Sequence, residues 1–158
     1  MRGLAVLLAT GLGLGYLPIA PATWASAATT LLLLAILPRL GFPAFLALTL
    51  AAIGLALLVC GPAERSLGHD ARPIVMDEVA GMFVSVCGVP AIGHAHPSHA
   101  ITLGLGFVLF RVFDIWKPVP VGRAQRLPGT FGVVIDDVLA GVYTNLALQI
   151  LSRAWPAA

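Results

Sequence analysis

Charge is what this sequence has least of. Nine Lys and Arg and seven Asp and Glu are spread over 158 residues, 10% in all, where a soluble domain of this length carries about 25%. With 59% of residues hydrophobic and a mean hydropathy of +0.97, the polar surface is too small for solubility, and embedding in a bilayer is the natural state. Cysteine is nearly absent: Cys60 and Cys87 sit in apolar surroundings without metal-ligand spacing and read as small buried hydrophobes. No clustered basic stripe is present, so nucleic acid is not an expected partner. The apolar stretches lack the strict alternation of barrel strands, which leaves helix as the spanning element. No convincing A-x-A-like cleavage site precedes the later hydrophobic segments, so the apolar start is read as mature protein rather than a signal peptide.

What is present is a series of apolar stretches separated by short polar ones, all expected to form one all-α membrane domain over residues 1–158. Residues 3–17 are apolar and Gly-rich and close with Pro18 and Pro21. Residues 24–37 end at Pro38-Arg39 and would rise only about 20 Å as a helix, short of the roughly 30 Å hydrocarbon core. These two predict a thin or re-entrant N-terminal hairpin. Four spans or near-spans follow, at 42–60, from Asp77 to about Ile92, at 100–116 and at about 132–151. The loops from Gly61 to Pro73 and from Lys117 to Pro128 hold Arg65, Arg72, Lys117, Arg123 and Arg126, whereas the histidine loop with His94, His96 and His99 holds no Lys or Arg. The positive-inside rule therefore puts both basic loops in the cytoplasm, although Arg39 and Arg153 fall on the far side.

The acids collect at that same end. Asp77 and Glu78 open one span, Asp114 lies in the last turn of the next, and Asp136 and Asp137 lie in the first turns of the last. Acids at this depth are costly and repel one another, so they must share protons, find cations or hold a metal. Carboxylates without cysteine suit a hard divalent ion, and Mg²⁺ is the usual one where phosphate is a co-ligand. Gly81 follows Asp77 by four residues and Gly141 follows Asp137 by four, so slim faces allow the two helices to approach. Adjacent acids diverge by about 100° on a helix, which predicts that one of each pair faces the ion and the other faces solvent or a basic partner. Arg111 and Lys117 flank Asp114, either as charge balance or as a phosphate clamp, with Arg as a fork and Lys as a point charge. His69 reads as loop polarity or a proton shuttle. Trp24, Trp116 and Trp155 fit interfacial anchors.

Four stretches carry a resemblance: Gly13 to Ser26 (GLGYLPIAPATWAS), Ile74 to Met82 (IVMDEVAGM), Phe110 to Pro120 (FRVFDIWKPVP) and Pro128 to Gly141 (PGTFGVVIDDVLAG). In content and order the chain resembles the phosphatidylglycerophosphatase A family. The resemblance implies a Mg²⁺-dependent enzyme of the bacterial inner membrane that removes the terminal phosphate from phosphatidylglycerophosphate to leave phosphatidylglycerol. It implies metal binding by Asp77, Glu78, Asp114, Asp136 and Asp137, and a phosphate held by Arg111 and Lys117, with Thr23 and Arg126 as further contacts. Glu78 or Asp137 is the expected base. The chain departs from the family at Ala22 and Ala25, where glycines are usual, and at Gln125 and Thr130.

Other phosphatase chemistries lack their parts. Arg65 follows Cys60 by five residues rather than the six a cysteine phosphatase needs, and there is no Pro-Ser-Gly-His-like run and no Asp-Gly dipeptide. The rival from another class is a small divalent-cation carrier or channel built on the same acids. It requires polar residues continuing through mid-membrane, which the acid distribution does not offer. The phospholipid in the bilayer is the expected partner; oligomeric state is left open.

Overall fold

The computed structural model describes residues 2–69, 71–89, 99–124, 127 and 129–154. Among these residues every regular element is helical. Helix α1 covers Arg2–Ala9 and is followed by a 3-10 turn at Leu14–Tyr16; α2 covers Pro21–Ile36, with Pro21 at the first position, and runs into a 3-10 turn at Leu37–Arg39. Then come α3 (Phe42–Leu67), α4 (Met76–Val86), α5 (His99–Trp116), the single turn α6 (Val121–Ala124) and α7 (Thr130–Ala154).

Four helices are long and apolar enough to cross a membrane: Pro21–Arg39, Phe42–Leu67, His99–Trp116 and Thr130–Ala154. The chain is a polytopic helical bundle with four spans, as its composition predicts, but with one exchange of membership. The second apolar stretch, expected as half of a hairpin, gains a turn at each end and becomes a full span. The stretch expected to cross from Asp77 to about Ile92 does so as helix only in part: α4 has 11 residues and rises about 16 Å. The reason lies on α7. Asn145 Nδ2 donates to the carbonyls of Val84, Ser85 and Cys87 at 3.0, 3.3 and 2.7 Å, and Gln149 Nε2 steadies Asn145 Oδ1 at 2.7 Å. Those contacts satisfy carbonyls that a helix end inside a bilayer leaves without water, and Gly88 then turns the chain at φ 68°. The expected loop residues His94 and His96 lie outside the described residues, while His99 opens α5.

At the N-terminus, α1 has eight residues, about 12 Å of rise, too few to cross. Its Ala5, Val6 and Ala9 pack on Ala56, Val59 and Cys60 of α3. Three ties then lace the first loops to the start of α4: Val75 N–H donates to the Ala9 carbonyl at 2.9 Å, Arg72 Nη2 donates to the Pro18 carbonyl at 2.6 Å, and Gly15 lies so tight against the Pro73 carbonyl that no side chain fits.

Helix α4 is the hub. It is flanked by α2, α3, α5 and α7, and of its 11 residues only Val79 and Val84 keep partial exposure. Met82, Phe83 and Val86 join Leu33, Phe45, Leu103 and Phe110 in one cluster, and Phe83 stacks on Phe45 with centroids 5.7 Å apart. Large apolar side chains such as Leu31, Leu50, Leu58 and Ile150 point outward, as they do where lipid rather than water is the solvent.

Candidate metal and phosphate site

The site begins with two glycines. A Cβ on Gly141 would lie 2.5 Å from the Gly81 carbonyl and 3.0 Å from Val84 Cβ; one on Gly81 would lie 2.5 Å from the Phe110 ring and 2.8 Å from the Asp137 carbonyl. Helices α4 and α7 therefore touch backbone to backbone, the slim-face approach that small residues permit. This contact sets the first turn of α4 against the second turn of α7. One carboxylate oxygen each from Asp77, Glu78 and Asp137 lies within 4.8 Å of the others, and all three residues are buried.

Around this triad the remaining charges are ordered. Asp77 Oδ1 accepts from the Glu78 backbone N–H at 3.1 Å, and the Asp77 and Glu78 side chains touch, as do those of Asp114 and Asp137. Carboxylates in contact need a proton or a cation between them. Glu78 Oε2 is buried with no hydrogen-bond partner among the described residues, a cost of about 1–3 kcal/mol or more that an ion would remove. An all-oxygen, all-carboxylate donor set fits a hard divalent cation. The residues present thus fit a hard divalent cation, which Asp77, Glu78 and Asp137 could hold.

The two basic residues are each anchored by an acid. Arg111 Nη1 lies 2.9 Å from Asp114 Oδ2 along α5 as an ion pair, and among the described residues neither it nor the buried Nε has a hydrogen-bond partner. Lys117 Nζ pairs with Asp136 Oδ2 at 2.6 Å across to α7. Lys117 is the residue just after α5 and adopts the left-handed conformation at φ 47°, which costs a residue with a Cβ about 1–2 kcal/mol. That turn swings its side chain away from Asp114, three residues back, and toward Asp136. Partial burial pulls the ammonium down, but the hydrogen bond and charge of Asp136 outweigh it and hold Lys117 above its usual range.

Residues 7–152 match the family described as Phosphatidylglycerophosphatase A. The chain belongs to that family. It is 38% identical over 144 residues to the phosphatidylglycerophosphatase A of Haemophilus influenzae, covering 90% of this chain and 85% of the relative. To the Escherichia coli K12 protein of the same name it is 32% identical over 154 residues, covering 95% and 84%. A Bacteroides thetaiotaomicron protein named as a candidate phosphatidylinositol-3-phosphatase is 33% identical over 151 residues, covering 93% and 92%. No solved structure is a significant match. Membership makes the chain a lipid phosphatase of a multi-pass membrane family, with a phospholipid substrate.

Against this family background the expected residues divide into three groups. Asp77, Glu78 and Asp137 are brought together, with Asp114 and Arg111 beside Asp137. Asp136 stands apart from the triad and faces Lys117, the divergence expected of neighbouring acids on a helix. Asp77 and Glu78 do not diverge: both reach the triad, because Glu78 has one more methylene with which to turn back. Thr23 lies half-buried in the first turn of α2 and takes no part in these ion pairs. Arg126, Gln125 and Trp155 lie outside the described residues. Thr130, a departure from the family pattern, packs against Gly61 of α3, where a side chain on residue 61 would strike its hydroxyl. The cross-helix Lys117–Asp136 pair was not foreseen from spacing; the only signal is Pro118, which stops α5 and lets Lys117 leave the helix direction.

Proposed function

We propose that this protein hydrolyses the terminal phosphate monoester of phosphatidylglycerophosphate in a Mg²⁺-dependent reaction, at the cytoplasmic face of a bacterial inner membrane. The observation that carries the reading is the buried Asp77–Glu78–Asp137 triad with the unpartnered Glu78 Oε2, flanked by the unpartnered Arg111 Nε. The anion site and the cation site are adjacent. Cytoplasmic orientation is supported by the basic loops at the same end of the bundle.

A divalent cation on the triad would supply charge neutralisation of the phosphoryl oxygens and a more acidic bound water. The protein's own groups do the rest. Arg111, held in direction by Asp114, offers its free Nε edge to the phosphate oxygens, and Lys117, held by Asp136, adds a point charge as negative charge develops. Asp136 serves in this reading as the positioning residue for Lys117 rather than as a metal ligand. The carboxylate oxygen of Glu78 or Asp137 that is not committed to the ion takes a proton from water as the water oxygen attacks phosphorus, and returns it to the glycerol oxygen as the P–O bond breaks. The carrier reading is less favoured: Asn145, Gln149 and Thr144 are committed to hydrogen bonds within the bundle, and the buried Thr102 hydroxyl, without a partner among the described residues, does not by itself make a path.

The test is phosphate release by the purified protein from phosphatidylglycerophosphate and from phosphatidylinositol 3-phosphate, each with and without Mg²⁺. Metal-dependent turnover of the first, with the second much slower, is expected. Turnover in Asp77→Asn and Asp136→Asn falls on the order of 100-fold with the fold intact. Unchanged turnover in both variants sinks the assignment, and faster turnover of the inositol lipid moves the substrate to the class named for the Bacteroides relative.

A further inference from the structure

Between α3 and the start of α7 lies a recess that the chemistry above leaves unused. It is an open cavity of about 260 Å³ lined by Gly61, Glu64, Arg65, His69, Gly129 and Thr130. Gly61, Glu64 and Arg65 share one face of the last turns of α3, because residues three and four apart are neighbours on a helix. Thr130 opens α7 and lies directly on Gly61, so the recess is a seam between α3 and α7. The same seam leads toward the metal site: Cys60, next to Gly61, is fully buried in one cluster with Met76 and Ala80 of α4 and Val134 of α7, which flank the acids in sequence. Thr130 precedes Asp137 of the triad by about 10 Å of helix rise, a gap that the long side chain of Arg65 and a short linker can cover together.

The rim is suited to an anion with hydroxyls near it. Arg65 is exposed and has no ion-pair partner among the described residues. The acid in the recess is covered: the Glu64 side chain is only 9% exposed, and its Oε1 is 2.6 Å from His69 Nδ1, with the imidazole ring 64% exposed at the rim. Among the described residues, the recess therefore presents outward a guanidinium, an imidazole edge and the Thr130 hydroxyl. Arg111 and Lys117 are already committed to the monoester end of the substrate. A lipid with a phosphate at each end of a glycerol linker carries a second anion that they do not reach.

The geometry points to this recess as the site for the phosphodiester and linker hydroxyl of the lipid headgroup, with Arg65 as the principal contact and Thr130 as a second. The inference rests on the proposed substrate, and it makes Arg65 a specificity-determining residue. A lipid with only a monoester, such as phosphatidic acid, fills the metal site and leaves the recess empty.

Two measurements on the full-length protein in detergent with Mg²⁺ test it. The first is binding of glycerophosphoglycerol, a phosphodiester with no monoester, read by equilibrium titration. Wild type and Asp77→Asn are expected to bind it alike, and Arg65→Gln to bind it about tenfold more weakly. The second is steady-state phosphate release. Arg65→Gln and Thr130→Val are expected to raise KM for phosphatidylglycerophosphate with kcat nearly unchanged, and to leave KM and kcat for phosphatidic acid as in wild type. Equal binding of the diester by Arg65→Gln overturns the inference, as does an equal loss on both lipids. Failure of wild type to release phosphate from phosphatidylglycerophosphate overturns the proposed substrate, while the diester titration still decides the recess.

Discussion

Lys117 combines a backbone cost with a charge that only one partner meets. Its left-handed φ of 47° and its 2.6 Å pair with Asp136 mean that shape and charge can be separated by substitution. Lys117→Met keeps the stem and removes the ammonium, and is expected to reduce kcat on the order of 100-fold with KM little changed. Asp136→Asn should mimic it, and the double variant should be no worse than either single one, since two residues acting as one unit do not add. A clearly additive loss would assign Asp136 a separate role at the metal. Because Asp136 raises the Lys117 ammonium above its usual range, the pair is intact at neutral pH and is lost only as pH rises through that raised value. Alkaline loss of activity below the ordinary lysine range of about 10.4 would have to come from another group. The sequence alone singled out Asp77, Glu78 and Asp137, which the structure brings together, and the ion-paired Arg111 and Lys117, because ionic side chains in so apolar a chain are conspicuous. It did not reveal which acid faces which base. Helical spacing pairs Arg111 with Asp114 correctly, but Lys117 leaves the helix, and its direction depends on a dihedral angle no spacing encodes.

At the scale of elements, α4 is the instructive case. Hydropathy marks an apolar stretch from Asp77 to about Ile92 and does not register where its helix stops: Gly88 in the left-handed conformation ends it locally, and the Asn145 amide of another helix satisfies its last carbonyls. The converse error at residues 24–37 has a similar origin: Pro21 and Pro38 look like breakers, yet Pro21 starts α2 and Pro38 sits in the 3-10 turn that lengthens it. Asn145→Leu should destabilise the protein by about 1–3 kcal/mol by leaving carbonyls without donors, visible as a lower Tm in detergent with little change in kcat of the folded fraction. Glycine substitutions give a sharper contrast. Gly54→Ala meets no atom within 4 Å on α3 and should stabilise by up to about 1 kcal/mol through helix propensity. Gly141→Ala must push α4 away from α7, with a loss of about 1–3 kcal/mol and of most activity.

For the molecule as a whole, the spans surround a half-length helix whose charged end is tied to the first loops by Arg72, Val75 and Gly15. That architecture keeps the acids at one end; composition was enough to predict the membrane bundle, but not the half-length helix at its centre. The contact of Gly81 with Gly141 adds a property that no residue list contains. With no side chains between the two backbones, the opening between Asp77 and Glu78 on one side and Asp137 on the other is limited by van der Waals radii and cannot close further. It works as a caliper. An ion that needs oxygen at 2.0–2.1 Å in a strict octahedron and one that prefers 2.3–2.6 Å with more ligands meet the same fixed jaws, so Ca²⁺ is expected to occupy the site without supporting turnover. Opening the jaws by one methyl, in Gly141→Ala, should narrow the preference for Mg²⁺ over Ca²⁺ in whatever activity survives.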